Sequence, residues 1–577
     1  MSERQRHSYV PSLRGTVAVA SCAVCFSVAT LISTEGWSQV GVPLPPRPPL
    51  PPELPAPVPP PQIVPPAPPT QPREGLLGAG VRVFVKEIRV IGNTAFTPEQ
   101  LAEVTAPYTN RELTTEDFES LRLAVTLYYV NRGYVTSGAL LPDQELKDGV
   151  VTVQVIEGKL AQIEIEGNKW FRKPYYTSRI KLGAETPLNI YHLQERLQLI
   201  QSDPRIERLN AELKPGLTQD QSILNVRVSE HQPFHLFFDV NNQQSPTVGE
   251  TQGLVTGVDD NLFGWGDRLS LQYGRSSGVN PILNFRYDVP VTPWDTTVFA
   301  QYRKFTFAVK EAPFEELDIV NKAEIYSIGI RHPVYRSIDR EFALTLVGEY
   351  ETNESTLLNE PFDFVAGAQN GKFKIAPIRF GQEYIQRTQE SVLSVLSRFS
   401  VGLGVLDATQ TSNSRFADAQ FFSWLGEGQY LRTFENLHRT QLFGRTLVQV
   451  TNSHLFPLEQ MSVGGRYSVR GYREYSILSD NAFLASLEAR VPVISTDRRG
   501  DIFYLVPFFD YGRAWNTNVA NPSPDQWLAS VGIGLIWHIW QGSRLEFYWG
   551  HQLNRLDLGD DSLQDLGMHF QLVVQAF

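Results

Sequence analysis

From Pro233 to Phe577 the chain repeats one pattern, apolar and polar residues alternating with period two in segments separated by short polar breaks. Leu269, Leu271 and Tyr273 alternate with Arg268, Ser270 and Gln272, and Leu545, Phe547 and Trp549 alternate with Arg544, Glu546 and Tyr548. Ala529, Val531, Ile533, Leu535, Trp537 and Ile539 form another apolar face, while Phe483, Ala485, Leu487, Ala489 and Val491 oppose a set that includes Ser486, Glu488 and Arg490. Alternation of this kind places each strand's apolar side chains on one face and its polar ones on the other. Apolar residues outside and Arg, Glu or Gln inside describe a barrel strand between lipid and a polar lumen. A soluble sandwich alternates in the same way, so context decides. Beyond Ser33 no long apolar run occurs, which excludes membrane-spanning helices. Charged residues make up 20% of the chain and aromatics 11%, a balance that suits a lipid-embedded barrel. A span takes ~9–11 residues, and turns and loops add as much again, so residues 233–577 should hold about 16 strands, an even number as in bacterial barrels.

The N-terminal part cannot belong to that barrel. Arg4, Arg6 and Arg14 precede an apolar run from Thr16 to Ser33, and small residues follow, the pattern of a secretory signal peptide over residues 1–38. Both cysteines, Cys22 and Cys25, lie within it. Its removal leaves no thiol, which rules out a disulfide scaffold, a thiolate metal site and a cysteine nucleophile. Residues 39–79 form a proline-rich linker, with 17 prolines between Pro43 and Pro72. Such a tract samples extended polyproline II and reads as a spacer.

Between linker and barrel the sequence repeats. Ile88-Arg89-Val90-Ile91-Gly92-Asn93-Thr94-Ala95-Phe96 returns 75 residues later as Ile163-Glu164-Ile165-Glu166-Gly167-Asn168-Lys169-Trp170-Phe171. The ends match as well: Val153, Val155 and Glu157 correspond to Val226, Val228 and Glu230, 73 residues on. Helical spacing lies between, in Phe118, Leu121, Val125 and Tyr128 and in Leu193, Leu197 and Ile200. Thr115, followed by Glu116 and Asp117, reads as a helix start. Each unit is therefore expected to run strand, helix, helix, strand, strand. This resembles the polypeptide-transport-associated (POTRA) domain, with one copy over 80–157 and a second over 158–232. The resemblance implies periplasmic modules that accept an unfolded peptide by adding it to a sheet edge.

Two motifs stand out in the barrel region. A strand near Arg445–Leu455 and another near Asn481–Val493 are joined by about 25 residues, roughly 456–480, longer than the ~12–15 of an ordinary connection. This segment contains Gly464-Gly465-Arg466-Tyr467-Ser468-Val469-Arg470-Gly471-Tyr472, and downstream stands Phe508-Phe509-Asp510-Tyr511-Gly512. The pair resembles the Val-Arg-Gly-Tyr loop motif and the Phe-x-Asp-x-Gly strand motif of the two-partner secretion translocators, the haemolysin/haemagglutinin secretion-activation family of the barrel-assembly superfamily. Asp260-Asn261-Leu262-Phe263-Gly264-Trp265-Gly266-Asp267, expected at the first barrel hairpin, also fits.

The resemblance implies a membrane all-β protein: a 16-stranded transmembrane β-barrel in the outer membrane of a Gram-negative-type bacterium, preceded by two periplasmic α+β POTRA domains. It implies that the long loop folds into the lumen, so that Val469, Arg470, Gly471 and Tyr472 meet the wall residues Phe508, Asp510 and Gly512. A planar guanidinium suits this, since it can give a carboxylate two parallel hydrogen bonds. The helical plug that several family members carry ahead of the first repeat has no room before the prolines. The implied function is capture of an unfolded exoprotein and its passage through the pore without ATP; the chain has no Gly-x-x-x-x-Gly-Lys loop. The alternative within the superfamily is an assembly factor that inserts other barrels. The expected partners are a large secreted exoprotein and outer-membrane lipid, and the chain is expected to act as a monomer. A net charge of −11 argues against nucleic acid. The ten histidines are scattered, with no His-Glu-x-x-His. No catalytic residue, metal site or cofactor is therefore expected.

Overall fold

The computed structural model describes residues 82–577 apart from 146–147, 414, 497–499, 518–525, 541 and 557–560, together with Ile63–Val64. The expected leader, and all of the proline-rich linker except those two residues, lie outside the described residues.

The first repeat places strands Glu87–Ile91, Val150–Ile156 and Gly138–Leu140 side by side, in that order, against helices Pro98–Thr105 and Thr115–Val130. Leu121, Val125 and Tyr129 face the sheet at helical spacing and bury against Ala139, Val153 and Val155. The second helix begins at Thr115, as its sequence suggests, and is capped by Thr114. The Thr114 hydroxyl accepts from Asp117 N, and the Asp117 carboxylate accepts from Thr114 N, a closed capping box. Two adjacent threonines look alike in sequence, and only one can stand three residues ahead of that aspartate.

The second repeat builds a sheet of Ile206–Pro215, Gln221–Glu230 and Lys159–Glu166 over helices Lys173–Lys181 and Ile190–Gln201. A fourth strand, Ile63–Val64, lies parallel along the outer edge of Ile206–Pro215, with Ile63 opposite Ala211. Part of the presumed spacer is thus paired. The reason is local: Gln62, Ile63 and Val64 interrupt the prolines, so these residues keep their N–H groups, and two of them are β-branched.

The sequence repeat has a structural cause. Gly92 and Gly167 turn the chain at φ +78° and +83°, and a Cβ at either would stand 2.4 Å from the carbonyl oxygen of Val155 or Val228. The terminal glutamate of each unit then receives the turn. Glu157 accepts from Thr94 N (2.7 Å), Ala95 N (2.9 Å) and the Tyr129 hydroxyl (2.9 Å). Glu230 accepts from Lys169 N (3.0 Å), Trp170 N (2.6 Å) and the Tyr176 hydroxyl (2.6 Å). Partial burial works against the charge on Glu157, but the hydrogen bonds from Thr94, Ala95 and Tyr129 outweigh it and hold the carboxyl below the usual range. Its contribution to stability is therefore complete above the unfolded-state value of about 4.3 and is lost as pH falls through the lower folded-state value. We expect Glu157→Ala to weaken the first unit by roughly 1.5–3 kcal/mol at neutral pH. Hydrogen exchange on the full chain should quicken over 82–157 and stay unchanged in the second unit.

The units interlock. Only Glu157 and Gly158 separate their sheets, and across the joint Ile190 N donates to Gly133 O (2.8 Å) and the Asn189 side-chain amide donates to Arg132 O (3.1 Å). The second unit is in turn fixed to the barrel. Arg205 donates to Asp260 O (2.8 Å) and Gly266 O (2.9 Å), and Arg172 N to Gly264 O (2.9 Å). The Gly-rich turn 260–267 joins barrel strand 2 (Gln252–Asp259) to strand 3 (Arg268–Arg275), so it closes the second hairpin and not the first, and it is the seat of the second unit.

Sixteen strands, Phe234–Asn241 first and Met568–Gln575 last, form a closed antiparallel barrel in sequence order. Strand 1 pairs with strand 16 from Phe237–Gln575 to Asn241–Gln571. Alternation holds: on strand 6 (Val320–Arg336) Ile328 is 65% exposed on the outer wall, whereas the neighbouring Ser327 is buried. Strand 11 (Thr440–Thr451) ends four residues before Leu455, where Ser453 and His454 already turn into the loop. Strand 1 enters from the second unit, so the 452–480 connection lies at the far end of the barrel.

Candidate functional site: a loop seated in the barrel lumen

The connection 452–480 folds inward. Its limbs pair as a short hairpin, Met461–Val463 with Ile477–Ser479, and its tip turns on Gly464 and Gly465, at φ +109° and +106°. Met461, Val463, Val469, Tyr472 and Ile477 pack with Leu447, Leu484, Ala514 and Leu528 of the wall in one apolar cluster. The loop is thus held first by burial of apolar surface.

The polar contacts give it one position. Strand 13 (Gly500–Trp515) turns Phe508, Asp510 and Gly512 to the lumen, because they lie two apart. Arg470 Nε donates to Asp510 Oδ2 (2.7 Å) and Nη2 to Oδ1 (2.8 Å), the paired geometry of a guanidinium on a carboxylate. Nη1 donates to Glu488 Oε2 (2.7 Å) and Nη2 to Ser486 Oγ (3.0 Å), both on strand 12 (Asn481–Thr496). The Arg470 backbone N–H also donates to Asp510 (3.0 Å). Phe508 lies beneath the guanidinium, 3.7 Å from ring centre to Cζ. Gly512 supplies room: a Cβ there would stand 2.6 Å from Val463 and 2.8 Å from Val469.

Gly471 touches a second glycine. A Cβ on it would stand 2.7 Å from Gly550 O, and its φ is +90°. Its N–H donates to His569 Nε2 (3.1 Å), and its carbonyl accepts from Gln552 (2.7 Å). The buried Tyr472 hydroxyl lies 2.9 Å from Ala529 O and 2.7 Å from Asn554 O. The seven motif residues named from the sequence therefore meet on one stretch of wall, formed by strands 12 to 16.

Other residues join them. Arg466 donates to Glu546 Oε2 (2.6 Å) and lies 3.8 Å over the Tyr548 ring. Arg473, one residue past the motif, bridges Asp565 in the last outer loop and Glu311 (2.8 Å) in the loop between strands 5 and 6. Glu488, Glu546 and Tyr548 already sat on polar faces of the alternation; nothing in the sequence named their partners. Among the described residues no group of three or more His, Cys, Asp or Glu could hold a metal ion.

The chain matches the model of the haemolysin secretion/activation protein family ShlB/FhaC/HecB over residues 220–536 and that of the ShlB-type POTRA domain over 83–158. It is 24% identical over 400 residues to the outer membrane transporter CdiB of Dickeya dadantii (strain 3937), covering 68% of this chain and 69% of that one. With the heme/hemopexin transporter protein HuxB of Haemophilus influenzae (strain ATCC 51907 / DSM 11121 / KW20 / Rd) it shares 22% over 213 residues, 36% of this chain and 37% of that one. Among solved structures, CdiB from Escherichia coli superposes with a TM-score of 0.65 at 21% identity, covering 88% of this chain and 93% of that one. BamA from Haemophilus ducreyi lacking POTRA domains 1–3 superposes at 0.52 with 15% identity, covering 85% and 100%. These two superpositions speak for the fold. The family match spans more than half of the chain, and with it a closed 16-stranded barrel, two POTRA units and a lumen loop agree: the chain belongs to the haemolysin secretion/activation protein family, outer-membrane transporters with periplasmic POTRA domains.

Proposed function

We propose that this chain captures an unfolded secreted exoprotein on its POTRA sheet edges and passes it outward through the barrel without ATP, the loop 452–480 closing the pore between passages. The observation that carries the reading is Ile63–Val64, an extended segment already paired along the outer edge of the second unit. That edge takes an extended segment by strand addition, and a client would displace Ile63–Val64 to reach it. In the first unit the edge strand Gly138–Leu140 runs beside a helix that leaves Leu123 and Leu127 49% and 45% exposed, one turn apart. An edge with apolar side chains next to it gives both backbone pairing and grip on an unfolded chain.

Within this reading Val469, Arg470, Gly471 and Tyr472 form the closing element and Phe508, Asp510 and Gly512 its seat. Residues 39–79 tether the leader-processed N-terminus to the units at 80–157 and 158–232, and 233–577 form the pore. A single barrel encloses a complete lumen, so the chain works as a monomer. Its lipid contact is the belt of Ile328, Ile330 and Leu346, bounded on the outer side by the Tyr302–Tyr326 ring pair, 4.9 Å apart.

The test is co-expression with a large secreted protein encoded beside this chain. Its appearance outside the cell should depend on this chain, while depletion of the chain leaves other outer-membrane proteins at normal levels. Loss of many outer-membrane proteins would instead mark an assembly factor.

A further inference from the structure

The polar contacts of the motif lie on the side of strands 12 to 16. On its inward limb, eleven residues before Arg470, Glu459 reaches the opposite wall. There Arg379, on strand 8 (Pro377–Arg387), donates from Nη2 to Glu459 Oε1 (2.6 Å) and from Nη1 to Glu459 Oε2 (3.0 Å). Its other hydrogens are also used: Nε donates to Glu349 (2.5 Å), Nη2 to Glu351 (3.0 Å) and Nη1 to Ser400 Oγ (3.0 Å). All five N–H groups of the guanidinium thus have acceptors, and a lysine, with three, could not replace them. The limb is packed as well, with Leu455, Phe456 and Leu458 buried and the Phe456 ring stacked on Phe373 at 4.4 Å.

The two walls are opposite in sign. Towards Asp510 the loop brings arginines, Arg466 and Arg470, to wall carboxylates; towards strand 8 it brings a carboxylate to a wall arginine. Around Arg379 stand Arg303 (3.6 Å from Glu349) and, on strand 9 (Ser391–Gly402) two residues from Ser400, Arg398. Without Glu459, the cations Arg303, Arg379 and Arg398 would face only Glu349 and Glu351.

We propose that the Arg379–Glu459 pair is a second anchor of the gate loop, so that opening requires release from both walls. Glu459 and Arg379 are positioning residues: they hold the limb that carries the Val469–Tyr472 tip. The proposal rests on the reading of the loop as the gate, and Arg470→Ala serves as its reference. Full-length Glu459→Gln, Glu459→Lys, Arg379→Lys and Arg470→Ala are reconstituted singly in planar bilayers and followed by single-channel recording.

Removing or opposing a buried charge should raise the frequency of large openings at least about tenfold in Glu459→Lys, with Glu459→Gln and Arg379→Lys in between. Heat-modifiable migration on gels reports whether each variant still folds as a barrel. A folded Glu459→Lys barrel that gates like the wild type, while Arg470→Ala opens, overturns the second anchor and leaves the gate intact. Unchanged gating in both variants overturns the gate reading itself. If Glu459→Lys does not fold, the decision falls to Glu459→Gln, which keeps the side-chain shape: wild-type gating in that variant also overturns the anchor.

Discussion

Arg470→Ala is expected to reach the outer membrane at wild-type levels and to secrete less than about a tenth of the wild-type amount, because a broken buried ion pair costs roughly 3–5 kcal/mol. Insertion should persist because the 16-strand hydrogen-bond ladder closes without any loop residue. Secretion should fall because the substitution leaves the buried carboxylate of Asp510 facing the lumen with its cation gone, whereas Glu488 keeps Arg490. The tip then has no single seat and wanders within the lumen, so the pore opens more often to ions but the loop no longer clears one path for a client. Arg470→Lys keeps the charge but not the fork on Asp510, and it should recover only part of the activity. The assay is the exoprotein in the culture supernatant, normalised to barrel recovered from the outer membrane. Wild-type yield from Arg470→Ala would remove this residue from the mechanism.

The second large effect is expected at Gly471. Leucine there meets two obstacles: a φ of +90°, which costs an ordinary residue about 1–2 kcal/mol, and the backbone of Gly550, which would lie 2.7 Å from the new Cβ. Neither can relax alone, because Gly550 N donates to Gly567 O (2.9 Å) within the same wall. Gly471→Leu should therefore unseat the tip with every charged partner still present. External protease should cut within 464–476 in this variant and spare the wild type. An uncut Gly471→Leu loop would mean that the tip tolerates a side chain at its closest approach, the charged pairs and the apolar burial together still seating it.

Much of this architecture was legible because lipid imposes one rule on every strand. Alternation such as Leu545, Phe547 and Trp549 against Arg544, Glu546 and Tyr548 tells which side chains face the lumen, and length then sets the strand number. The POTRA units were legible because the same turn recurs, Gly92-Asn93 and Gly167-Asn168, each received by a terminal glutamate. Pairings inside the lumen were another matter. Arg470 and Asp510 are 40 residues apart and on different elements, and only family resemblance joins them. Arg379 and Glu459 are 80 apart and lie in no motif; alternation places Arg379 in the lumen without saying what meets it. The Ile63–Val64 strand is hidden in the sequence for a different reason. The proline content around it averages over residues that keep their donors, and a short pairing is decided by three residues.

The junction between the two POTRA units has one more consequence. With two residues between their sheets and the hydrogen bonds of Asn189 and Ile190 across the joint, neither unit can swing relative to the other without breaking those bonds. The two receiving edges stand at a constant interval, and the second is in turn fixed to the barrel mouth through Arg205. The assembly is therefore a ruler. An extended chain that engages both edges must carry its two adhesive segments at a matching separation, and inserting residues between them should put the second segment out of reach.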